Sequence, residues 1–90
     1  MKARRLFYIG HVQGVGFRYA VKQIAAGYDV SGWVRNLPDG RVEVFIQGLP
    51  DELSAMTEEI SRSHLNGFIK SVESFDAAVD LDARGFTIER

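Results

Sequence analysis

Hydrophobic positions along the chain follow two periods, and the switches between them mark the elements. Arg4 to His11 contains an unbroken apolar run, Leu6, Phe7, Tyr8 and Ile9, and ends at glycine. A run with no polar face predicts a strand inside a sheet. From Phe17 the spacing changes. Phe17, Ala20, Val21, Ile24, Ala25 and Tyr28 fall on one face of a helix over about three turns, and Gly27 suits its end. Val30 to Asn36 predicts a second strand, and Pro38-Asp39-Gly40 has the chemistry of a tight turn. Beyond it Val42, Val44 and Ile46 alternate with Arg41, Glu43 and Gln47, the pattern of a strand with one wet face. Strand, turn and strand make a hairpin.

Pro50 with Asp51 and Glu52 marks a second helix start, and Leu53, Met56 and Ile60 give it one apolar face. Arg62 falls near its end, and Asn66-Gly67 is expected to stop it. Phe68 to Phe75 predicts a strand. Its inward residues are expected to be Val72 and Phe75, whose odd separation calls for a bulge. Ala77 to Arg84 reads as a loop, and Gly85 to Glu89 as a short closing strand. The order is β-α-β-β-α-β plus a short extra strand. This predicts an α+β, ferredoxin-like sandwich: an antiparallel sheet with both helices on one face. That fold carries enzymes, RNA binders and regulatory modules alike, so function has to come from the site.

Composition narrows the classes. Ninety residues predict one domain, 1–90, and ordinary proportions of hydrophobic (46%) and charged (26%) residues predict a packed core. A net charge of −1 argues against binding nucleic acid by bulk charge. The absence of cysteine removes disulfides, thiolate nucleophiles and cysteine metal sites together. No apolar run is long enough for a membrane span, and the start MKARRLFYIG lacks the apolar stretch of a signal peptide. A cytoplasmic protein is expected.

Chemistry concentrates in Gly10-His11-Val12-Gln13-Gly14-Val15-Gly16-Phe17-Arg18. This segment joins a predicted strand to a predicted helix. Backbone N–H groups there can converge on an anion, helped by the helix dipole. Gly14 and Gly16 allow a sharp turn and close approach, and Arg18 adds a guanidinium fork suited to phosphate. The loop therefore has the makings of an oxyanion cradle. It lacks the Lys-Ser/Thr of a Walker A loop and the thiolate of a cysteine phosphatase. A plain glycine-rich turn carrying Arg18 as a surface charge fits the same spacing. Asn36, taken alone, reads as a strand-end residue capping the Leu37-Pro38-Asp39-Gly40 turn.

Two longer patterns go further. VQGVGFR (Val12–Arg18) strongly resembles the first signature of the acylphosphatase family. GWVRN (Gly32–Asn36), followed by Gly40, Val42 and Gly48, resembles the second. Length and element order fit the family's small ferredoxin-like domain over essentially the whole chain. The resemblance implies hydrolysis of the carboxyl–phosphate bond of acyl phosphates. It implies that Arg18 and the amides of Gln13, Gly14, Val15, Gly16, Phe17 and Arg18 hold the phosphoryl group, and that Asn36 positions the attacking water. It implies no metal or organic cofactor, a small-molecule partner and a monomer. The segment Ser61–Lys70 departs from the family's usual Gly-Pro break, which leaves the helix end and the next strand's register open.

Other residues are assigned structural work. His11 is expected at the surface, His64 at a helix end, and Trp33 and Phe17 in packing. Gln13 is expected to contribute its backbone more than its side chain. Arg4, Arg5, Arg35 and Arg41 are expected at solvated strand ends. Two competing readings use the same fold. One is an anion- or RNA-binding module offering Phe7, Tyr8 and Phe45 as stacking faces. The other is a carbamoyl-phosphate-handling domain cut from a larger maturation enzyme.

Overall fold

The structure, a computed structural model, describes residues 1–90. The chain runs β1 (Lys2–Gly10), α1 (Phe17–Ala25), β2 (Val30–Asn36), β3 (Val42–Gly48), α2 (Pro50–Arg62), a short 3₁₀ helix (His64–Phe68), β4 (Ile69–Ala77) and β5 (Phe86–Ile88). The sheet order is β4-β1-β3-β2-β5. The pairs β1/β3, β1/β4 and β2/β3 are antiparallel, as expected. The closing strand β5 instead lies parallel to β2, so the sheet is mixed. The connection from β4 spans the sheet from one edge to the other, which brings β5 in alongside β2 in the same direction.

One face of the sheet carries the core. Leu6, Tyr8, Val34, Val42, Val44 and Ile46 pack against Phe17, Val21 and Ala25 of α1 and Leu53, Met56 and Ile60 of α2. The helical spacing read from the sequence is thus the buried stripe of each helix. Helix α1 ends at Ala25, and a further turn of backbone bonds carries the chain to Tyr28. Helix α2 ends at Arg62, earlier than Asn66-Gly67. Ser63 turns to extended backbone and its hydroxyl accepts from the Leu65 N–H, starting the 3₁₀ helix that holds Asn66 and Gly67.

The opposite face explains the unbroken apolar run in β1. Phe7 points away from the helices, edge-on to Phe75, with the Arg41 guanidinium over its ring. Trp33 stacks on Phe45 beneath Arg35 on the same side. Arg5 and Arg35 keep part of their side chains in solvent but are more than free surface charges. Both bind Glu43, at 3.1 and 2.8 Å, and that carboxylate is only 2% exposed. Arg41 is likewise engaged, with Asp39 in the turn. The crossing segment before β5 is fastened to this face by Gln47. Its carboxamide donates to the Asp80 carbonyl and accepts from the Asp80 N–H.

The expectation for β4 fails in one respect. Val72 and Phe75 are 40% and 54% exposed, and pairing with β1 is regular from Tyr8↔Val72 to Ala3↔Ala77. β4 is an edge strand, so its apolar residues are covered on one flank only. The irregularity lies elsewhere, where Ile9 faces Ser71 and Gly10 faces Ile69, leaving Lys70 as the extra residue.

Candidate active site

The β1–α1 loop is pinned by its aliphatic residues and bent by its glycines. Val12 is buried and Val15 packs on the core. Between them Gly14 has φ +77°, and Gly16 follows at φ +76°, ψ 20°. All non-glycine residues keep negative φ, so left-handed and ordinary backbone alternate through Gly14-Val15-Gly16. Alternation of this kind is the backbone geometry from which anion-binding nests of N–H groups are built.

Gly16 is also the N-cap of α1, and it supplies no capping side chain. No acidic residue stands in the first turn of α1, whereas α2 opens with Asp51 and Glu52. The leading amides of α1 and the positive end of its dipole are therefore left for an external acceptor.

Arg18, in that first turn, is half-buried. None of the chain's ion pairs involves it. Its guanidinium is held by one hydrogen bond, donated to the Glu89 carbonyl at 3.2 Å. The Glu89 N–H in turn donates to the Val34 carbonyl at 2.8 Å, which fixes that segment to β2. A neutral carbonyl orients the guanidinium without cancelling its charge.

Asn36 ends β2 opposite Val42. The turn beyond it is closed by other groups. The Leu37 N–H donates to the Arg41 carbonyl, and the Arg41 N–H donates to the Asp39 carboxylate at 3.1 Å. That last bond holds the Asp39 pKa below the ordinary carboxylate value, with the Arg41 guanidinium adding to the effect. Asn36 Oδ1 is buried and has no hydrogen-bond partner.

These features share one cavity of about 180 Å³. Of the residues expected at the site, Gly14, Gly16, Phe17, Arg18 and Asn36 line it; Gln13 and Val15 do not. The Phe17 ring itself is in the core, 5.2 Å from Tyr8. The Gln13 side chain reaches away to the hairpin, donating to the Leu37 and Arg41 carbonyls at 2.8 and 3.0 Å. This is more than the backbone role expected of it. His11 is exposed and outside the lining. Tyr19 and Ile88 also line the cavity, and the sequence reading missed both. An aromatic residue directly after Arg18 was a signal for the first. Ile88 comes from β5, and nothing local in the sequence announces it. A cavity this small lies below the roughly 300–1,000 Å³ of sites that enclose a drug-sized ligand. It suits a compact anion whose remainder stays outside.

Fold and cavity together define a ferredoxin-like α+β protein with a cationic, glycine-lined cradle. Residues 4–88 match the acylphosphatase family model. An acylphosphatase of Koribacter versatilis is 39% identical over 88 residues, covering 98% of this chain and 80% of that protein. One from Trichormus variabilis is 42% identical over 89 residues, covering 94% and 83%. The crystal structure of acylphosphatase from Bacillus subtilis superposes with a TM-score of 0.90 at 30% identity, over all of both chains. The chain belongs to the acylphosphatase family, a family of hydrolases.

Proposed function

We propose that this cavity hydrolyses the carboxyl–phosphate bond of acyl phosphates. Arg18 and the amides of Gln13 to Arg18 hold the phosphoryl group, and Asn36 orients the attacking water. The observation that carries the reading is that Arg18, the start of α1 and Asn36 line one small cavity, each with a group the chain leaves unpaired or uncancelled. These are a guanidinium with no carboxylate, a helix N-terminus with no cap, and a buried amide oxygen with no partner.

The chemistry needs little more. The water oxygen attacks phosphorus, the bond from phosphorus to the acyl oxygen breaks, and the carboxylate leaves as an anion. That leaving group requires no proton at neutral pH, so a general acid is dispensable. Phosphoryl transfer passes through a loose transition state, which positioning and charge stabilisation lower most. A preorganised donor of this kind is worth roughly 3–4 kcal/mol. Asn36 Oδ1 accepts a hydrogen bond from water and cannot take its proton. A phosphoryl oxygen of the substrate receives that proton instead. The cavity's size leaves the acyl group outside, which favours a range of acyl phosphates over one.

The same reading treats residues 1–90 as one domain, working as a cytoplasmic monomer on a small-molecule substrate. No helix is long and apolar enough to cross a membrane. The RNA-binding alternative loses most of its platform, because Tyr8 and Phe45 are buried at 1% and 4% exposure.

The test is benzoyl phosphate hydrolysis by the wild type, Arg18→Ala and Asn36→Ala, each with and without chelator. Chelator-resistant wild-type activity is expected. Arg18→Ala should lose both turnover and inhibition by phosphate. Asn36→Ala should lose turnover while keeping phosphate inhibition. A folded wild type without activity would sink the reading.

A further inference from the structure

The regular hydrogen-bonded ladder stops just short of the cavity. The last β1–β3 pair is Tyr8↔Val42, and the last β2–β3 pair is Asn36↔Val42. Beyond that line lie the loop of residues 11–16 and the hairpin tip of residues 37–41. No backbone hydrogen bond joins the two. The hydrogen bonds that do join them come from Gln13.

The Gln13 carboxamide spends both of its N–H donors inside the hairpin mouth. One goes to the Leu37 carbonyl, across 24 positions of sequence, and the other to the Arg41 carbonyl, across 28. Those carbonyls already accept from within the turn, Leu37 from the Gly40 N–H and Arg41 from the Leu37 N–H. Each uses its second lone pair for Gln13. Leu37 directly follows Asn36, so one contact lies a single peptide from the amide assigned to the water. At the other end, Gln13 is followed by Gly14, the first glycine of the cradle.

From this geometry we infer that the Gln13 side chain is a positioning residue. It sets the separation between the phosphoryl cradle and Asn36, and so the alignment of water with phosphorus. The inference rests on the acylphosphatase reading of the cavity. Its chemical demands are specific. The tie needs two donors on one nitrogen, at the reach of two methylenes. Glutamate has the reach but would set a carboxylate against two carbonyl oxygens. Asparagine has the donors but falls one methylene short. Gln13 is exposed, so its replacement leaves the core untouched.

A double-mutant cycle on the full chain separates positioning from general support. kcat and KM for benzoyl phosphate, and inhibition by inorganic phosphate, are measured for four proteins: wild type, Gln13→Met, Asn36→Ala and the double variant. Methionine keeps length and loses both donors. Displacement of a reacting group by about an ångström costs up to 100-fold, so Gln13→Met should lower kcat roughly 10- to 100-fold. Phosphate inhibition should stay within about twofold of wild type, because the cradle's own groups remain. In the Asn36→Ala background the same change should cost less than about twofold, since nothing is left to position. Equal losses in both backgrounds would overturn the inference and leave the acylphosphatase reading standing. An Asn36→Ala variant with wild-type kcat would remove the water-orienting role and this inference with it. Gln13→Glu, measured alongside, should fall at least as far as Gln13→Met; full activity there would also overturn the tie.

Discussion

Replacing Tyr19 by glutamate puts a carboxylate in the first turn of α1, where the chain has none. The expected effects on stability and on ligand binding have opposite signs. A negative charge at a helix N-terminus stabilises by about 0.3–1 kcal/mol, so the unliganded protein should resist urea slightly better. The same charge competes with any anion in the cavity that Tyr19 lines. Two unit charges 4 Å apart interact by about 1 kcal/mol in water and about 4 kcal/mol near a protein surface. Tyr19 is 62% exposed, so its replacement stays well solvated and the lower end applies. A penalty of about 1–2 kcal/mol corresponds to a 5- to 30-fold loss of phosphate affinity.

The assay is phosphate inhibition of benzoyl phosphate hydrolysis, with urea unfolding of the ligand-free protein beside it. Tyr19→Gln is the control, since it removes the ring without adding charge. The difference between the two variants should shrink as ionic strength rises from about 10 to 150 mM, because the screening length falls from about 30 to 8 Å. Equal phosphate inhibition in the glutamate and glutamine variants at low salt would refute the reasoning. The start of α1 would then not be where the anion sits.

Three further outcomes follow from the rest of the molecule. Glu43→Gln should cost about 1–2 kcal/mol in urea unfolding. It removes the charge that binds Arg5 and Arg35, whose side chains are 43% and 42% exposed and can return to water, so the loss stays below that of a wholly buried pair; an unchanged midpoint would show the triad contributes nothing. Tyr8→Phe should raise the melting temperature, because the Tyr8 hydroxyl is buried without a partner and burial pushes its pKa well above the ordinary value. An unpaired buried hydroxyl costs about 1–3 kcal/mol, and a lower melting temperature in the variant would mean that the hydroxyl has a partner after all. Asp39 titrates below the ordinary carboxylate value in the folded chain, so its contribution is fully present above the unfolded pKa and is lost as pH falls through the folded one. Melting curves between about pH 2 and 5 should therefore be flatter for Asp39→Asn than for wild type, and parallel curves would contradict the assignment.

What the sequence made legible was local. Gly14, Gly16 and Arg18 stand within five positions, so a sharp glycine turn leading into a helix start could be read there, and the structure gives both glycines positive φ. The helical stripes were equally readable, since Phe17, Val21, Leu53 and Met56 bury the face their period defines. What escaped depends on which segments meet. Arg5 and Arg35 look like surface charges until the register sets Glu43 beside Arg35 and next to the strand carrying Arg5. Val72 and Phe75 look like core until β4 proves to be an edge. At the cavity the same division holds. Ile88 and the Glu89 carbonyl reach Arg18 from 70 and 71 positions away, through the parallel pairing of β5 with β2. A single period or motif carries no such information.

The chain has the means to satisfy exposed polar ends and uses them outside the cavity. Helix α2 supplies its own acids at its N-terminus, Arg5 and Arg35 share Glu43, and Gln47 pairs twice with the Asp80 backbone. At the cavity the same kinds of group are left open: the start of α1 without a cap, Arg18 without a carboxylate, Asn36 Oδ1 without a donor. Each could be satisfied by a small sequence change, such as an acid at position 19, and each change would strengthen the fold while filling the place of the anion. Tyr8 shows that an unsatisfied group alone does not make a site, for its hydroxyl is buried and the residue belongs to the core and not to the cavity lining. Convergence is what distinguishes the cavity. On the proposed function, donors held open and fixed before substrate arrives need no reorganisation when charge develops on the phosphoryl oxygens, and a site with so few groups would gain its rate there. The stability forgone at residues 14–19 and 36 is thus the physical counterpart of the proposed activity.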